Sequence, residues 1–299
     1  MRAPHLLPSA AVKAPAGTRT VRATTSDGVP LVGVCVPGGP SASPGLGFVL
    51  AHGFTGSSER PDVRRVLAAL AVHGTVVAMD FRGHGRSGGT ASVGDTEVAD
   101  VAAAVVLARG LGCTFVVAVG FSMGASVVVR HAGGAQVVVR HAGGAQMPVR
   151  HAGGAQVPVR HAGGASDQPD AVVSVSGPAR WWCRDTKAMR RVSWLCEQPL
   201  GRVVARVLGV RLNTAWEQVP SSPVEDVHRI APRPLLVVHG ARDHYFTLEH
   251  PRALVAAAGG DAELWVEDGM DHAESATTSE LAGRIGAWGA RAAAARVLA

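Results

Sequence analysis

The sequence predicts an α/β fold, a mainly parallel sheet of eight strands with helices on both faces. Three observations predict it. Short apolar runs rich in Val and Ala alternate with segments whose apolar residues recur at helical spacing, the pattern of strands buried on both faces. Residues 116–125, V-V-A-V-G-F-S-M-G-A, deliver such a strand into a turn flanked by Gly120 and Gly124, with Ser122 at its apex. The 299 residues are 47% hydrophobic and 17% charged, enough for one large core.

Taken in order, residues 1–17 are broken by Pro4 and Pro8, have no uninterrupted apolar core, and read as a disordered lead-in rather than a signal peptide. A single domain is expected over 18–299. Residues 18–26 and 29–36 alternate around Asp27-Gly28 and predict a hairpin. A Pro/Gly/Ser loop leads to a buried strand at 47–51, followed at once by His52-Gly53-Phe54-Thr55-Gly56. A helix over 61–72 places Val63, Val66, Leu67 and Leu70 on one face. Strand 75–79 ends at Asp80, and a glycine-rich loop leads to a helix over 94–109. Strands follow at 115–119, 171–175, 235–238 and 263–266, with a helix over 248–258 and a final helix from 275 to the end.

A tandem repeat interrupts this rhythm. V-V-V-R-H-A-G-G-A-Q at 127–136 recurs at 137–146 and, with Pro148 and Pro158, at 147–156 and 157–166. Ten residues turn a helix through about 1000°, roughly 80° short of three turns, so no face stays apolar. The Gly-Gly pairs and prolines also oppose a continuous helix. One copy suits the end of the helix behind Ser122, capped by its glycines. Residues 137–166 therefore read as an expansion extruded as a loop at the rim opposite the strands' C-terminal ends. Decamer spacing in such a loop does not preorganise His131, His141, His151 and His161 for metal.

Composition excludes several classes. The net charge of +6 contains four arginines in identical repeat contexts, and three fewer would leave +3. No aromatic-interleaved basic stripe accompanies it, so nucleic-acid binding is not expected. No stretch approaches the length of a membrane span, and a cytoplasmic location is expected. Cys35, Cys113, Cys183 and Cys196 show no metal spacing and read as reduced thiols.

A serine hydroxyl needs a base within hydrogen-bond reach, a group to orient that base, and donors aimed at the developing oxyanion. Asp243 follows the strand and glycine of L-L-V-V-H-G-A-R-D, at a strand mouth. His272 follows L-W-V-E-D-G-M-D-H, with one helix and one strand between it and Asp243. Asp268 and Asp271 are fallback acids in the same short loop as His272. His239 and His244 are expected to shape the loop around Asp243.

H-G-F-T-G-S-S (52–58), D-F-R-G-H-G-R-S-G-G (80–89), G-F-S-M-G (120–124), H-G-A-R-D (239–243) and G-M-D-H (269–272) stand in register. Together they resemble the α/β-hydrolase superfamily, its serine esterase and lipase-like members, near the serine aminopeptidase and monoacylglycerol-lipase branch. The resemblance covers about 18–297 apart from the repeat. It implies an α/β-hydrolase fold in which Ser122, Asp243 and His272 are catalytic and the Phe54 and Met123 amides form the oxyanion hole. His84 is then architectural. A serine at the elbow argues against carboxylate-nucleophile chemistry such as haloalkane dehalogenation. No metal or organic cofactor is implied.

Residues 178–232 are expected to form a short helical lid. Its Trp181, Trp182 and Trp194 either line an acyl pocket or pack the lid onto the sheet. The expected partner is a small-molecule ester, with acyl-glycerol or thioester substrates as variants. The alternatives are a peptidase or amidase on the same scaffold and a catalytically silent binding protein. The oligomeric state is not legible in the sequence.

Overall fold

A computed structural model describes residues 13–135, 166–213, 216, 219–260 and 262–298. Most of the lead-in, the later repeat copies and His141, His151 and His161 lie outside the described residues. The strands are β1 (Arg19–Thr24), β2 (Pro30–Val36), β3 (Leu46–Ala51), β4 (Thr75–Met79), β5 (Phe115–Phe121), β6 (Ala171–Val175), β7 (Leu235–Gly240) and β8 (Ala262–Glu267). They form one sheet in the order β1-β2-β4-β3-β5-β6-β7-β8. Only the pairings of β2 with β1 and β4 are antiparallel.

The helices are α1 (Pro61–Ala71), α2 (Val98–Gly110), α3 (Met123–Ala132), α4 (Lys187–Glu197), α5 (Pro199–Val207), α6 (Pro223–Asp226), α7 (Glu249–Ala257), α8 (Ala273–Ala276) and α9 (Ser279–Leu298). Every residue of β3, β5, β6 and β7 is buried, which explains why these strands read as nearly continuous apolar runs, interrupted only by Ser174 and His239. Within β5 the pleat sends Val116 and Ala118 toward α2 and α3, and Phe115, Val117 and Val119 toward α1 and α9. The two cores are sealed by Val101, Val105 and Val128 on one face and by Leu67, Leu70, Ile285 and Trp288 on the other.

Two boundaries differ from the sequence expectation. The helix expected from 94 begins at Val98, because 92–94 wrap the buried Glu97 carboxylate instead. That carboxylate accepts the N–H groups of Ser92, Val93 and Gly94 and the Ser92 hydroxyl. The last helix is broken after α8, where Thr277 turns to extended backbone.

α3 is buried along its whole length and ends before Gly133-Gly134, with Gly134 at φ +87°. The described chain on either side of 136–165 is joined at the strands' N-terminal rim. His131 Nε2 lies 2.8 Å from the Asp167 carbonyl, and Arg109 donates to the Ser166 and Gln168 carbonyls and to Asp170. Cys35, Cys113, Cys183 and Cys196 are free thiols. Among the described residues, no helix is long and apolar enough to cross a membrane.

Candidate active site

β5 ends at Phe121, and α3 begins at Met123, so Ser122 alone makes the turn, at φ +51° and ψ −114°. Such strain in a non-glycine residue persists only where its surroundings dictate it. Here the flanking glycines do so by close approach. A Cβ on Gly120 would lie 2.3 Å from the Gly124 carbonyl oxygen, and one on Gly124 2.1 Å from that of Ala51. The strained turn lifts the Ser122 side chain off the sheet's C-terminal edge, between the ends of β3 and β6.

β7 and β8 deliver the other two groups to the same edge. His272 Nε2 lies 2.9 Å from Ser122 Oγ, and its Nδ1 lies 2.8 Å from Asp243 Oδ2. The second carboxylate oxygen accepts the N–H groups of Tyr245 at 2.8 Å and Phe246 at 3.1 Å. Burial alone would raise the Asp243 pKa. The His272 hydrogen bond and charge, with the two backbone donors, outweigh burial and hold it below the ordinary carboxylate value. The Tyr245 ring lies over His272, with centroids 4.2 Å apart.

The neighbouring candidates are brought elsewhere. Asp271 is exposed and paired to His244 at 2.5 Å, and Asp268 is exposed. His239 Nε2 faces the Phe246 carbonyl at 3.0 Å, so it braces the Asp243 loop, and burial lowers its pKa. His84 is buried with its ring against His52 and Phe54, an architectural position.

Beside the serine, the Phe54 and Met123 N–H groups have no hydrogen-bond partner among the described residues. His52 sets the direction of the first. Its Nε2 accepts the Phe81 N–H at 3.0 Å, which leaves the proton on Nδ1, 2.8 Å from the Gly53 carbonyl. The Gly56 N–H also donates to that carbonyl, at 2.9 Å. In a trans peptide the Phe54 N–H then points the opposite way. Burial, with the neighbouring His84, lowers the His52 pKa to about 3, so the ring stays neutral in this role.

Sequence reading missed Glu274. Two residues beyond His272, this buried acid accepts the Gly53 N–H and anchors the other side of the same loop. Burial raises its pKa, against the lowering effect of that hydrogen bond. An acid in an otherwise small-residue turn after the histidine was the available signal.

Phe54, Ser122, Met123, His272 and Glu274 line a cavity of about 550 Å³. Of the three tryptophans whose place the sequence left open, Trp181 and Trp182 line it and Trp194 does not. Trp194 sits on the outer side of α4 with Lys187, Arg190 and Arg191, and the third tryptophan of the cavity is Trp216. The Trp216 ring meets Trp181 and Trp182 edge-on at 5.3 and 5.2 Å. A helical period on α4 turns Trp194 away from Met189, Val192 and Cys196, which do face the cavity. Among the described residues no cluster of three or more His, Cys, Asp or Glu side chains is placed to hold a metal ion.

Such an array lets an imidazole take a hydroxyl proton while a buried carboxylate stabilises the resulting imidazolium. Comparison with known proteins agrees with the architecture. An esterase of Pyrococcus furiosus, Pf2001, superposes with a TM-score of 0.62 at 23% identity, over 91% of each chain. XC6422 of Xanthomonas campestris, described as a serine hydrolase without lid, gives 0.57 at 18% identity over 93% of this chain and 95% of that one. The esterase domain of a Rhodothermus marinus protein gives 0.57 at 19% identity, over 92% and 98%. No curated protein matches the sequence. The sequence profile of the alpha/beta hydrolase family matches residues 48–280. On that match and this sheet, the chain belongs to the alpha/beta hydrolase family.

Proposed function

We propose that this hydrolase cleaves carboxylic esters through Ser122, His272 and Asp243, by way of an acyl-enzyme. The observation that carries the reading is the unbroken hydrogen-bond chain from Ser122 Oγ through both ring nitrogens of His272 to a buried Asp243. Ser122 Oγ attacks the ester carbonyl carbon as its proton passes to His272 Nε2. The oxyanion accepts the Phe54 and Met123 N–H groups, and the carbonyl re-forms as the alkoxide leaves with the proton from His272. Water, deprotonated by the same ring, then attacks the acyl-enzyme and returns Ser122 to its starting state.

The wall formed by Trp181, Trp182 and Trp216 suits an apolar acyl chain, and the segment bearing them acts as a short lid. Esterase descriptions among the structural neighbours support the same chemistry. A fluorophosphonate probe tests the reading: the wild-type protein takes the label and Ser122→Ala does not. Failure of folded wild-type protein to label overturns it. Turnover of p-nitrophenyl esters in preference to aminoacyl anilides separates an esterase from a peptidase.

A further inference from the structure

A surface helix ordinarily turns its apolar stripe inward. α5 does the reverse. Its buried positions are the small residues Gly201 and Ala205, whereas Leu200, Val203, Val204 and Val207, at helical spacing on one stripe, face solvent. Val207 is 83% exposed, Leu200 64% and Val203 60%. The inner side is already satisfied, because Ala205 packs with Ala91 and Val210 beside Phe54 and Leu212.

α4 continues this outward display with charge. Lys187, Arg190, Arg191 and Trp194 share its outer stripe and line one shallow groove, and Trp194 is 44% exposed. The opposite side of α4 lines the catalytic cavity, as do Phe54 and Leu212 beneath α5. Both outer stripes therefore look away from the same cavity. Across 187–207 the sequence holds five cations and a single acid, Glu197, which is paired to Arg184. Lys187, Arg191 and Arg206 have no ion-pair partner among the described residues.

Exposed Leu, Val and Trp beside unpaired long-stemmed cations match the interface of an anionic bilayer. Apolar side chains enter the acyl boundary there, and Lys and Arg reach the headgroups. We propose that the outer face of α4 and α5 docks on an anionic lipid surface. The docking is independent of the ester chemistry.

Flotation of the full-length protein with vesicles tests it. Wild-type protein is expected to float with vesicles of equal parts phosphatidylcholine and phosphatidylglycerol, to be released by high salt, and to stay behind with phosphatidylcholine alone. Each cation is worth roughly fivefold in partitioning, so Lys187→Gln with Arg191→Gln should weaken binding roughly 25-fold. Val203→Glu with Val207→Glu should abolish it while leaving the thermal midpoint unchanged, which separates lost docking from unfolding. Wild-type protein that ignores anionic vesicles overturns the proposal, as does a Val203→Glu, Val207→Glu variant that floats like wild type. A dimer in solution that this variant splits also overturns it, by assigning the face to a second copy.

Discussion

Glu274 offers the sharpest test of how the proposed oxyanion site is held. The Gly53–Phe54 peptide is fixed from both sides, by Glu274 on the Gly53 N–H and by His52 and Gly56 on the Gly53 carbonyl. Glu274→Ala removes one anchor and leaves a buried N–H unpaired, a cost of about 1–3 kcal/mol in stability. Complete loss of one oxyanion donor costs roughly 100- to 1000-fold in kcat. With His52 still orienting the peptide, a smaller fall of roughly 30-fold in kcat is expected, with KM changed by less than about twofold. Glu274→Gln keeps an acceptor for Gly53 and should retain kcat within about threefold.

Both variants also lose a pH dependence that the wild type carries. The folded pKa of Glu274 lies above its unfolded value near 4.3, so its contribution to stability is complete below that value. It is lost as pH rises through the folded value. Glutamine cannot ionise, so Glu274→Gln should gain stability relative to wild type on the alkaline side of that transition. Steady-state turnover of a p-nitrophenyl ester and urea midpoints across pH measure both effects. Wild-type kcat in Glu274→Ala, or equal damage in Glu274→Gln, refutes the anchoring role.

Asp243→Asn should retain the fold at neutral pH and lower kcat roughly 10,000-fold, as expected when the histidine loses its orienting carboxylate; ester turnover measures it. Because the Asp243 pKa is depressed, its contribution is present above about 3.9 and lost as pH falls through the lower folded value. Acid titration of the urea midpoint should therefore be shallower in Asp243→Asn. Gly124→Ala drives a Cβ against the Ala51 carbonyl oxygen, and overpacking of this kind should lower Tm by roughly 5 °C, read by differential scanning calorimetry. An unchanged midpoint would mean that β3 yields. Trp216→Ala removes one wall of the aromatic cluster and should raise KM roughly tenfold for octanoyl esters, with little change for acetyl esters.

Much of this protein was legible one residue at a time. Strands buried on both faces are mostly apolar, so β3, β5, β6 and β7 announced themselves without alternation. The elbow was equally local: two glycines and a serine behind a strand are a steric statement that needs no partner. The placement of Ser122, Asp243 and His272, each just after the end of a strand (β5, β7 and β8), was legible too, and the resemblance supplied their order. What the tertiary structure decided were choices among near-equivalent residues. Asp243 meets His272, while Asp271 turns outward to His244 from the loop that carries His272 itself. Trp194 points away from the cavity because of which side of α4 faces inward, and Trp216, from the chain beyond α5, joins it instead. Glu274 reaches Gly53 across 221 residues of sequence. Local pattern reports the environment a residue needs, but a hydrogen bond between distant segments exists only once the sheet has brought their ends to one edge.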